Sequence, residues 1–336
     1  MVAISGTVIW LLSAAGQTTV VALGYLLAAE DFELVGAAPA PKVDPLGLLE
    51  TLPEKVVQAA RTWERHLIEV DTGVAPDAPE GTLPRPEYDP VTHSLAARQR
   101  ASAVRSALVT EIAERVLACG DGRLRVGIDG LTAAGKTSFG HELAQRISAW
   151  GRPVLRATLD DFKRPWRDRH RYDRESGAGY YRNAYDYDAV ARLLLRPVAP
   201  EGSGACVLCS IDPLTQRDHR EVVNQAAADA VLIVDGVFAF RPEINDYWDY
   251  RIWLDVDEQT SVHRGTHRDQ TWAGAEAEAI HRERYLVAMQ LYLAEVSPLR
   301  LVDVIIDNTV FDRPRIMPAQ GLAHQAAPQL MAIKDH

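Results

Sequence analysis

The sequence predicts an α/β fold, in which a mainly parallel sheet lies between layers of helices. Short apolar segments with the character of buried strands recur along the chain and end in acidic or apolar turns: Gly122–Asp129, Val154–Leu159 and Asp229–Asp235. After the first of them, Phe139, Leu143 and Ile147 repeat at helical spacing. Strands that alternate with helices are typical of parallel sheets, because a crossover helix returns the chain to the same edge.

Composition places the chain among ordinary globular proteins. Of its 336 residues, 47% are hydrophobic and 24% are charged, which excludes a largely disordered, collagen-like or coiled-coil chain. The net charge of −10 argues against a domain whose main task is to neutralise nucleic-acid phosphates. We therefore expect no nucleic-acid partner, although a few well-placed cations could still bind a small anion.

The cysteines favour a cytoplasmic protein. Cys119, Cys206 and Cys209 form an odd, sparse set rather than a disulfide framework. Cys206 and Cys209 make a CxxC motif, but the segment from Ala205 to Ile211 has the pattern of a buried strand. Positions three apart on a strand point to opposite faces, so we expect core thiols rather than a metal site.

The first 30 residues combine two apolar runs, 7–12 and 20–29, and no charged side chain precedes Glu30. The break at Gly16–Thr19 and the lack of a basic flank favour a β-hairpin over a signal peptide or a spanning helix. We therefore expect no membrane partner.

A helix is predicted from about Thr51 to Asp71, where Thr51 and Glu54 have the spacing of a capping box. A proline-rich connector follows to Thr92. The stretch Ala60–Gly73, together with Arg85–Pro90, resembles the N-terminal region of Mu-type transposases of actinobacteria. That likeness covers about the first 95 residues and contains no catalytic motif, so it implies a fused fragment or a docking module rather than transposase activity.

A phosphate-binding loop is the strongest motif in the chain. Residues 130–137 have the pattern GxxxxGKT, directly after a strand and before a helix. In such a loop backbone N–H groups surround phosphates, Lys136 reaches the β- and γ-phosphates, and the Thr137 hydroxyl serves Mg²⁺. This predicts a P-loop NTPase three-layer fold that binds ATP and Mg²⁺. The expected nucleotide-binding residues are Gly130, Leu131, Thr132, Ala133, Ala134, Gly135, Lys136, Thr137 and Ser138.

Acidic residues follow two more of the predicted strands. Asp160 and Asp161 end one, and Asp235 ends a strand of the Walker B type. The carboxyl ends of parallel strands are where ligands bind in open α/β sheets, so these acids are expected beside the phosphate loop. Either Asp160 or Asp161 could accept the proton of an attacking hydroxyl. The predicted metal ligands are Thr137, Asp160 and Asp235.

Two arginines four residues apart, Arg264 and Arg268, follow the predicted strand Arg251–Val256. A helix presents both on one side, where they could close over a triphosphate and stabilise the transferring phosphoryl group.

These motifs, in this order, resemble the uridine kinase family of P-loop kinases, particularly the uridine kinase-like proteins of actinobacteria. The segments that carry the likeness are Gly130–Thr137, Asp160–Pro165, Tyr180–Asp188 with Arg192–Pro197, Ala228–Phe238, Arg241–Glu243 with Tyr247–Asp249, Arg264–Asp269 and Val304–Thr309. The resemblance implies a five-stranded parallel sheet, a mobile lid, and transfer of the ATP γ-phosphate to the 5′-hydroxyl of uridine or cytidine. It implies catalytic roles for Asp160, Lys136, Arg264 and Arg268, and substrate contacts for Asp161, Tyr185 and Asp186.

The predicted organisation is a transposase-like segment with a linker over 1–98, a kinase domain over 99–318 and a tail over 319–336. The alternative function is a P-loop ATPase or nucleotide-binding module associated with a mobile element. The sequence leaves a homo-oligomer open.

Overall fold

The computed structural model describes residues 2–5, 8–12, 18–22, 65, 68–78, 82, 84, 88–92, 94–168, 173–311 and 313–318. The chain divides into two compact units, residues 1–61 and residues 62–336. The segment at 37–42, whose sequence AAPAPK predicts a linker, lies outside the described residues, as do most of the predicted helix from Thr51 and the predicted tail.

The first unit contains a three-stranded antiparallel sheet formed by β1 (Val2–Ser5), β2 (Val8–Leu12) and β3 (Thr18–Ala22). Strands β2 and β3 pair antiparallel, with Val8 opposite Ala22, so the predicted hairpin is confirmed. Strand β1 adds to the free side of β2. Within the described part of the chain, no helix combines the length and apolar character needed to cross a bilayer.

The second unit begins with a helical turn at residues 68–72 and continues to the long helix α1 (Leu95–Leu117). Ser94 caps α1 by accepting a hydrogen bond from the Ala97 N–H group. The predicted boundary between residues 98 and 99 falls inside this helix.

The central sheet of the second unit has six strands in the order β11-β10-β9-β4-β8-β5. The strands of this unit are β4 (Leu124–Gly130), β5 (Val154–Thr158), β6 (Ala205–Cys206), β7 (Asn224–Gln225), β8 (Val231–Asp235), β9 (Tyr250–Asp255), β10 (Val304–Asp307) and β11 (Arg315–Ile316). The first five strands of the sheet in chain order, β4, β5, β8, β9 and β10, are parallel, as the family resemblance implied. The short strand β11 adds one antiparallel edge.

Helices cover the sheet. They are α2 (Lys136–Ala149), α3 (Gly177–Asn183), α4 (Tyr187–Ala189), α5 (Glu258–Ala273), α6 (Ala277–Ala279) and α7 (Val287–Val296). Two π-helical stretches, Val190–Leu195 and Ile280–Leu286, continue α4 and α6. Short 3₁₀ turns lie at Leu159–Phe162, Trp166–Asp168, Asn245–Tyr247, Gly274–Glu276 and Pro298–Arg300.

The core is built on the central strands of the sheet and includes buried residues of α1, α2 and α7. Every residue of β4 and β8 is buried, which explains the nearly continuous apolar pattern of these strands. The predicted apolar face of α2 is confirmed, because Phe139, Leu143 and Ile147 are all buried.

The strand predicted across Ala205–Ile211 is much shorter in the structure. Only Ala205 and Cys206 pair with β7, and the chain then turns away. The backbone N–H groups of Ser210 and Ile211 instead donate to the Asp161 carbonyl oxygen, each at 3.0 Å, and these bonds hold the segment as a loop. All three cysteines are free thiols, with Cys206 buried and Cys209 half-buried.

Candidate functional site

The phosphate loop connects β4 to α2 at the centre of the sheet. Gly130 and Gly135 have φ angles of +146° and +91°, which a residue with a side chain rarely adopts. At Gly130 a Cβ atom would also lie 2.2 Å from the Leu254 carbonyl oxygen. The loop therefore requires glycine for its conformation and for its close approach to β9.

Lys136 begins α2 and folds back over the loop. Its Nζ donates to the carbonyl oxygens of Gly130 and Leu131 at 2.9 Å and 2.7 Å. Burial lowers the pKa of Lys136, while the carboxylates of nearby acids, Asp235 and Asp160 among them, act in the opposite direction. The lysine thus lies within electrostatic reach of acids that are 24 and 99 residues away in the chain.

Thr137 and Asp235 meet as the sequence predicts. The Thr137 hydroxyl donates to Asp235 Oδ2 at 2.6 Å, and Arg156 Nη2 lies 2.5 Å from Oδ1 of the same carboxylate. Thr158, at the end of β5, donates to the Asp235 carbonyl oxygen at 3.0 Å. These bonds tie the ends of β5 and β8 to the first turn of α2.

The oxygen atoms of Thr137 and Asp235 are suitable ligands for a magnesium ion. A hydroxyl and a carboxylate are hard oxygen ligands of the kind that Mg²⁺ prefers. No group of three or more His, Cys, Asp or Glu side chains among the described residues is arranged to hold a metal by itself. Mg²⁺ takes one or two protein ligands and completes its shell with water and phosphate oxygens, so Thr137 and Asp235 could serve as its protein ligands.

Asp160 lies in the 3₁₀ turn that follows β5, with its side chain 51% exposed. Its Oδ1 accepts from Lys163 Nζ and from the Tyr185 hydroxyl, both at 3.0 Å. Partial loss of solvent pushes the pKa of Asp160 upward, but Lys163 and Tyr185 outweigh it and hold the pKa below its ordinary value. Asp160 is therefore an oriented, ionised carboxylate that remains open to a ligand.

Asp161 is a different kind of acid. Burial, together with the carboxylates of Asp160 and Asp212, raises its pKa to about 6. Its backbone carbonyl oxygen accepts the two N–H groups that hold the loop at residues 210–211. The two adjacent acids thus have opposite pKa shifts in the same turn.

Three residues are predicted to contact the acceptor, and Asp161 is described above. Tyr185 is buried and bonded to Asp160. Its hydroxyl also lies 3.2 Å from that of Tyr180. Asp186 has a structural contact: it caps α4 by accepting from the Ala189 N–H group at 3.1 Å.

Arg264 and Arg268 both lie on α5, but their guanidinium groups have different partners. Arg264 donates to the carbonyl oxygens of Asn308 and Thr309 at 3.1 Å and 3.0 Å. Arg268 is half-exposed, pairs with Asp269 at 2.7 Å, and interacts electrostatically with Asp160. Arg264 is thus tied to the loop that follows β10, whereas Arg268 interacts with an acid near the phosphate loop.

Sequence reasoning missed two residues at the site. Lys163 has a detectable signal, since a spacing of three brings it beside Asp160 in a tight turn. Asp129, a fully buried acid at the end of β4, accepts hydrogen bonds from the Gly130 and Phe238 N–H groups and from the Tyr292 hydroxyl. An acid directly before the first loop glycine is its only local signal.

Comparison with known proteins agrees with this geometry. The model of the phosphoribulokinase/uridine kinase family matches residues 126–310, more than half of the chain. A uridine kinase from Leuconostoc citreum (strain KM20) is 25% identical over 177 residues, which cover 52% of this chain and 79% of that protein.

Two solved structures have a similar arrangement at low identity. A possible uridine kinase from Bacillus stearothermophilus is 22% identical with a TM-score of 0.46, over 60% of this chain and 96% of that one. A D-glycerate 3-kinase from Cryptococcus neoformans is 13% identical with a TM-score of 0.42, over 63% and 98% of the two chains. The family match, with the phosphate loop and the Thr137–Asp235 contact inside it, shows that this chain belongs to the phosphoribulokinase/uridine kinase family.

Proposed function

We propose that this protein transfers the γ-phosphate of ATP to a hydroxyl group of a small molecule, most readily the 5′-hydroxyl of uridine or cytidine. The observation that carries the proposal is the position of Asp160, an ionised carboxylate within electrostatic reach of Lys136 and oriented by Lys163 and Tyr185. A simple nucleotide-binding module has no need of such a group.

The phosphate loop binds and orients the triphosphate. Its backbone N–H groups and the N-terminus of α2 attract phosphate oxygens, and Lys136 is close enough to move from its own loop carbonyls to a phosphate. Thr137 and Asp235, with Asp160 nearby, would hold Mg²⁺, which supplies charge neutralisation at the phosphate oxygens.

Asp160 accepts the proton of the acceptor hydroxyl. Because its pKa lies below the ordinary value, it is ionised at neutral pH and can orient the hydroxyl through a hydrogen bond. In phosphoryl transfer through a loose transition state, this positioning matters more than the strength of the base. Arg268 lies on the same side and can stabilise charge on the transferring group.

The nucleoside acceptor rests on two lines of support. The curated relative from Leuconostoc citreum is a uridine kinase. In addition, aromatic side chains lie near Asp160, the candidate catalytic base. Tyr180 and Tyr185 lie edge to face with ring centroids 6.2 Å apart, and Tyr180 meets Tyr285 at 5.1 Å. Aromatic rings near an acceptor site suit a planar nucleobase.

Three free thiols support a cytoplasmic location for this activity.

The test compares Asp160→Asn with Asp161→Asn in the full chain. ATP binding is measured by calorimetry, and phosphoryl transfer is measured with radiolabelled ATP against a panel of nucleosides, sugars and glycerate. We expect Asp160→Asn to reduce transfer by about 10²- to 10⁴-fold while ATP affinity stays within a few-fold.

The variant Asp161→Asn serves as the matched control, with an expected loss of less than about tenfold because that acid is not bonded to Lys163 or Tyr185. A larger loss in Asp161→Asn would transfer the role of base to that residue. If the unchanged protein labels no acceptor in the panel, or hydrolyses ATP only in the presence of DNA, the kinase proposal is wrong.

A further inference from the structure

We propose that Arg105 is a positioning residue for the phosphate loop and acts on it through Asn308. The inference rests on the proposed nucleotide-binding function of that loop. Arg105 lies on α1, outside every motif of the sequence analysis, and is 4% exposed. A charged side chain is seldom buried to this extent unless its partners use the charge.

Arg105 joins three separate parts of the second unit. Its Nε donates to the carboxylate of Glu142 on α2, at 3.0 Å and 2.8 Å to the two oxygens. Its Nη1 donates to Asn308 Oδ1 at 3.0 Å. The ring of Phe311 lies 4.0 Å from the guanidinium carbon and covers one face of the group.

Asn308 carries the effect from Arg105 to the loop. Its side chain is buried, and Nδ2 donates to the Ala134 carbonyl oxygen at 2.8 Å. The same Nδ2 would lie 2.9 Å from a Cβ atom placed on Gly135, so the amide is packed directly against the loop. The backbone carbonyl oxygen of Asn308 accepts a hydrogen bond from Arg264.

The direction of these bonds explains why Arg105 matters. An asparagine amide has one acceptor end and one donor end. Arg105 can only donate, so it holds Oδ1 toward itself and leaves Nδ2 to face Ala134. Without Arg105 the amide could rotate, and the carbonyl of Ala134 would lose its donor beside the two residues, Gly135 and Lys136, that bind phosphate.

Glu142 holds the Arg105 guanidinium group against α2. It lies on the helix that begins at Lys136, so the Arg105–Glu142 pair holds α2 and the Asn308 loop at a constant separation. A lysine could pair with Glu142 but, as a single point charge, could not also reach Asn308 in a fixed geometry. The planar guanidinium is therefore the feature that the arrangement requires.

The experiment measures ATP affinity by calorimetry and the melting temperature of full-length variants. In Arg105→Lys the charge opposite Glu142 remains, which protects folding, and we expect ATP to bind about tenfold more weakly, consistent with loss of one charge-assisted hydrogen bond. The KM for the acceptor should stay within twofold, since no acceptor residue touches Asn308.

Arg146→Gln is the matched control. Arg146 also links α2 to α1, through a 2.8 Å bond from its Nη2 to the Ser106 hydroxyl, but it does not contact Asn308. This variant should lower the melting temperature with ATP affinity unchanged within twofold. A purely structural role for Arg105 would give the same result for both variants, and that outcome would overturn the inference.

Asn308→Leu and the double variant with Arg105→Lys complete the test. If Arg105 acts through Asn308, the double variant should bind ATP no more weakly than Asn308→Leu alone. Additive losses would mean that Arg105 acts by another route and would overturn the inference. If the unchanged protein does not bind ATP, the proposed function fails first, so the two failures are distinguishable.

Discussion

The two sides of the candidate site are built in different ways. The phosphate side, residues 130–137 with Asp235, is held largely by backbone geometry and by short bonds from Lys136 to main-chain atoms. Lys136 and Asp235 are buried there, whereas Thr137 is exposed. The acceptor side, residues 160–163 with Tyr185 and the loop at 210–211, is partly exposed and is held by contacts between side chains and loops.

This difference has a chemical consequence. The triphosphate is the same whichever acceptor is phosphorylated, so one fixed backbone conformation can bind it. An acceptor is recognised by its own shape and polar groups, and side chains on loops can change without disturbing the sheet. We therefore expect substitutions on the phosphate side to affect nucleotide binding, and substitutions on the acceptor side to affect turnover.

Two lysine substitutions, one on each side of the site, should have the largest effects on activity and should distinguish the phosphate side from the acceptor side. Lys136→Met removes the ammonium group at the phosphates, and we expect kcat/KM to fall by about 10²- to 10³-fold with much weaker ATP binding. Lys163→Met removes the cation beside Asp160 and should lower kcat while ATP affinity stays within about twofold. Calorimetry and steady-state kinetics on both variants measure this. Equal weakening of ATP binding by both substitutions would show that both sides contribute to nucleotide binding.

The sequence predicted the position of the loop Gly130–Thr137 and its contact with Asp235. A continuous motif, Gly130–Thr137, fixes its backbone locally, and the apolar pattern of β8 leads directly to Asp235. The order of the parallel strands then brings Asp235 beside Thr137. Each step depends on neighbours in the chain or on the regular geometry of the sheet, which sequence patterns report well.

The acceptor side and the supports of the loop could not be predicted in the same way. The contact of Tyr185 with Asp160 spans 25 residues of irregular chain, and the bond from Arg105 to Asn308 spans 203. No periodicity encodes such contacts. The strand predicted across residues 205–211 was too long for the same reason. Only Ala205 and Cys206 pair in a strand, and the N–H groups of residues 210 and 211 donate to the Asp161 carbonyl oxygen instead.

A tyrosine pair tests whether the acceptor side depends on its side-chain bonds. Tyr185→Phe removes the hydroxyl that donates to Asp160, and we expect kcat to fall about tenfold, the cost of one hydrogen bond to a charged group. Tyr187→Phe is the control, since that hydroxyl bonds weakly, at 3.5 Å, to the Phe238 carbonyl oxygen in the same aromatic cluster. ATP affinity should be unchanged in both. A similar loss of kcat in both variants would assign the effect to packing of the cluster.

Asp129 on the phosphate side and Asp161 on the acceptor side offer the finest comparison, because both have a pKa raised to about 6. Burial dominates the shift of Asp129, which is fully buried, so the folded protein holds its proton more tightly than the unfolded chain does. As the pH rises from about 4 to 6, this difference lowers the free energy of unfolding by roughly 3 kcal/mol. Urea unfolding at several pH values should show this slope, and Asp129→Asn should flatten it.

Salt should distinguish the two acids. Part of the shift of Asp161 comes from the neighbouring carboxylates of Asp160 and Asp212, and the group is only partly buried. Ions screen such repulsion, so raising the salt concentration from about 0.05 M to 1 M should lower the pKa of Asp161 by about half a unit. Asp129 lies where ions do not reach, and its pKa should not move. Carboxyl NMR titration measures both values in one sample. Equal salt dependence would mean that ions reach both carboxylates alike, and the contrast between the buried Asp129 and the partly buried Asp161 would not hold.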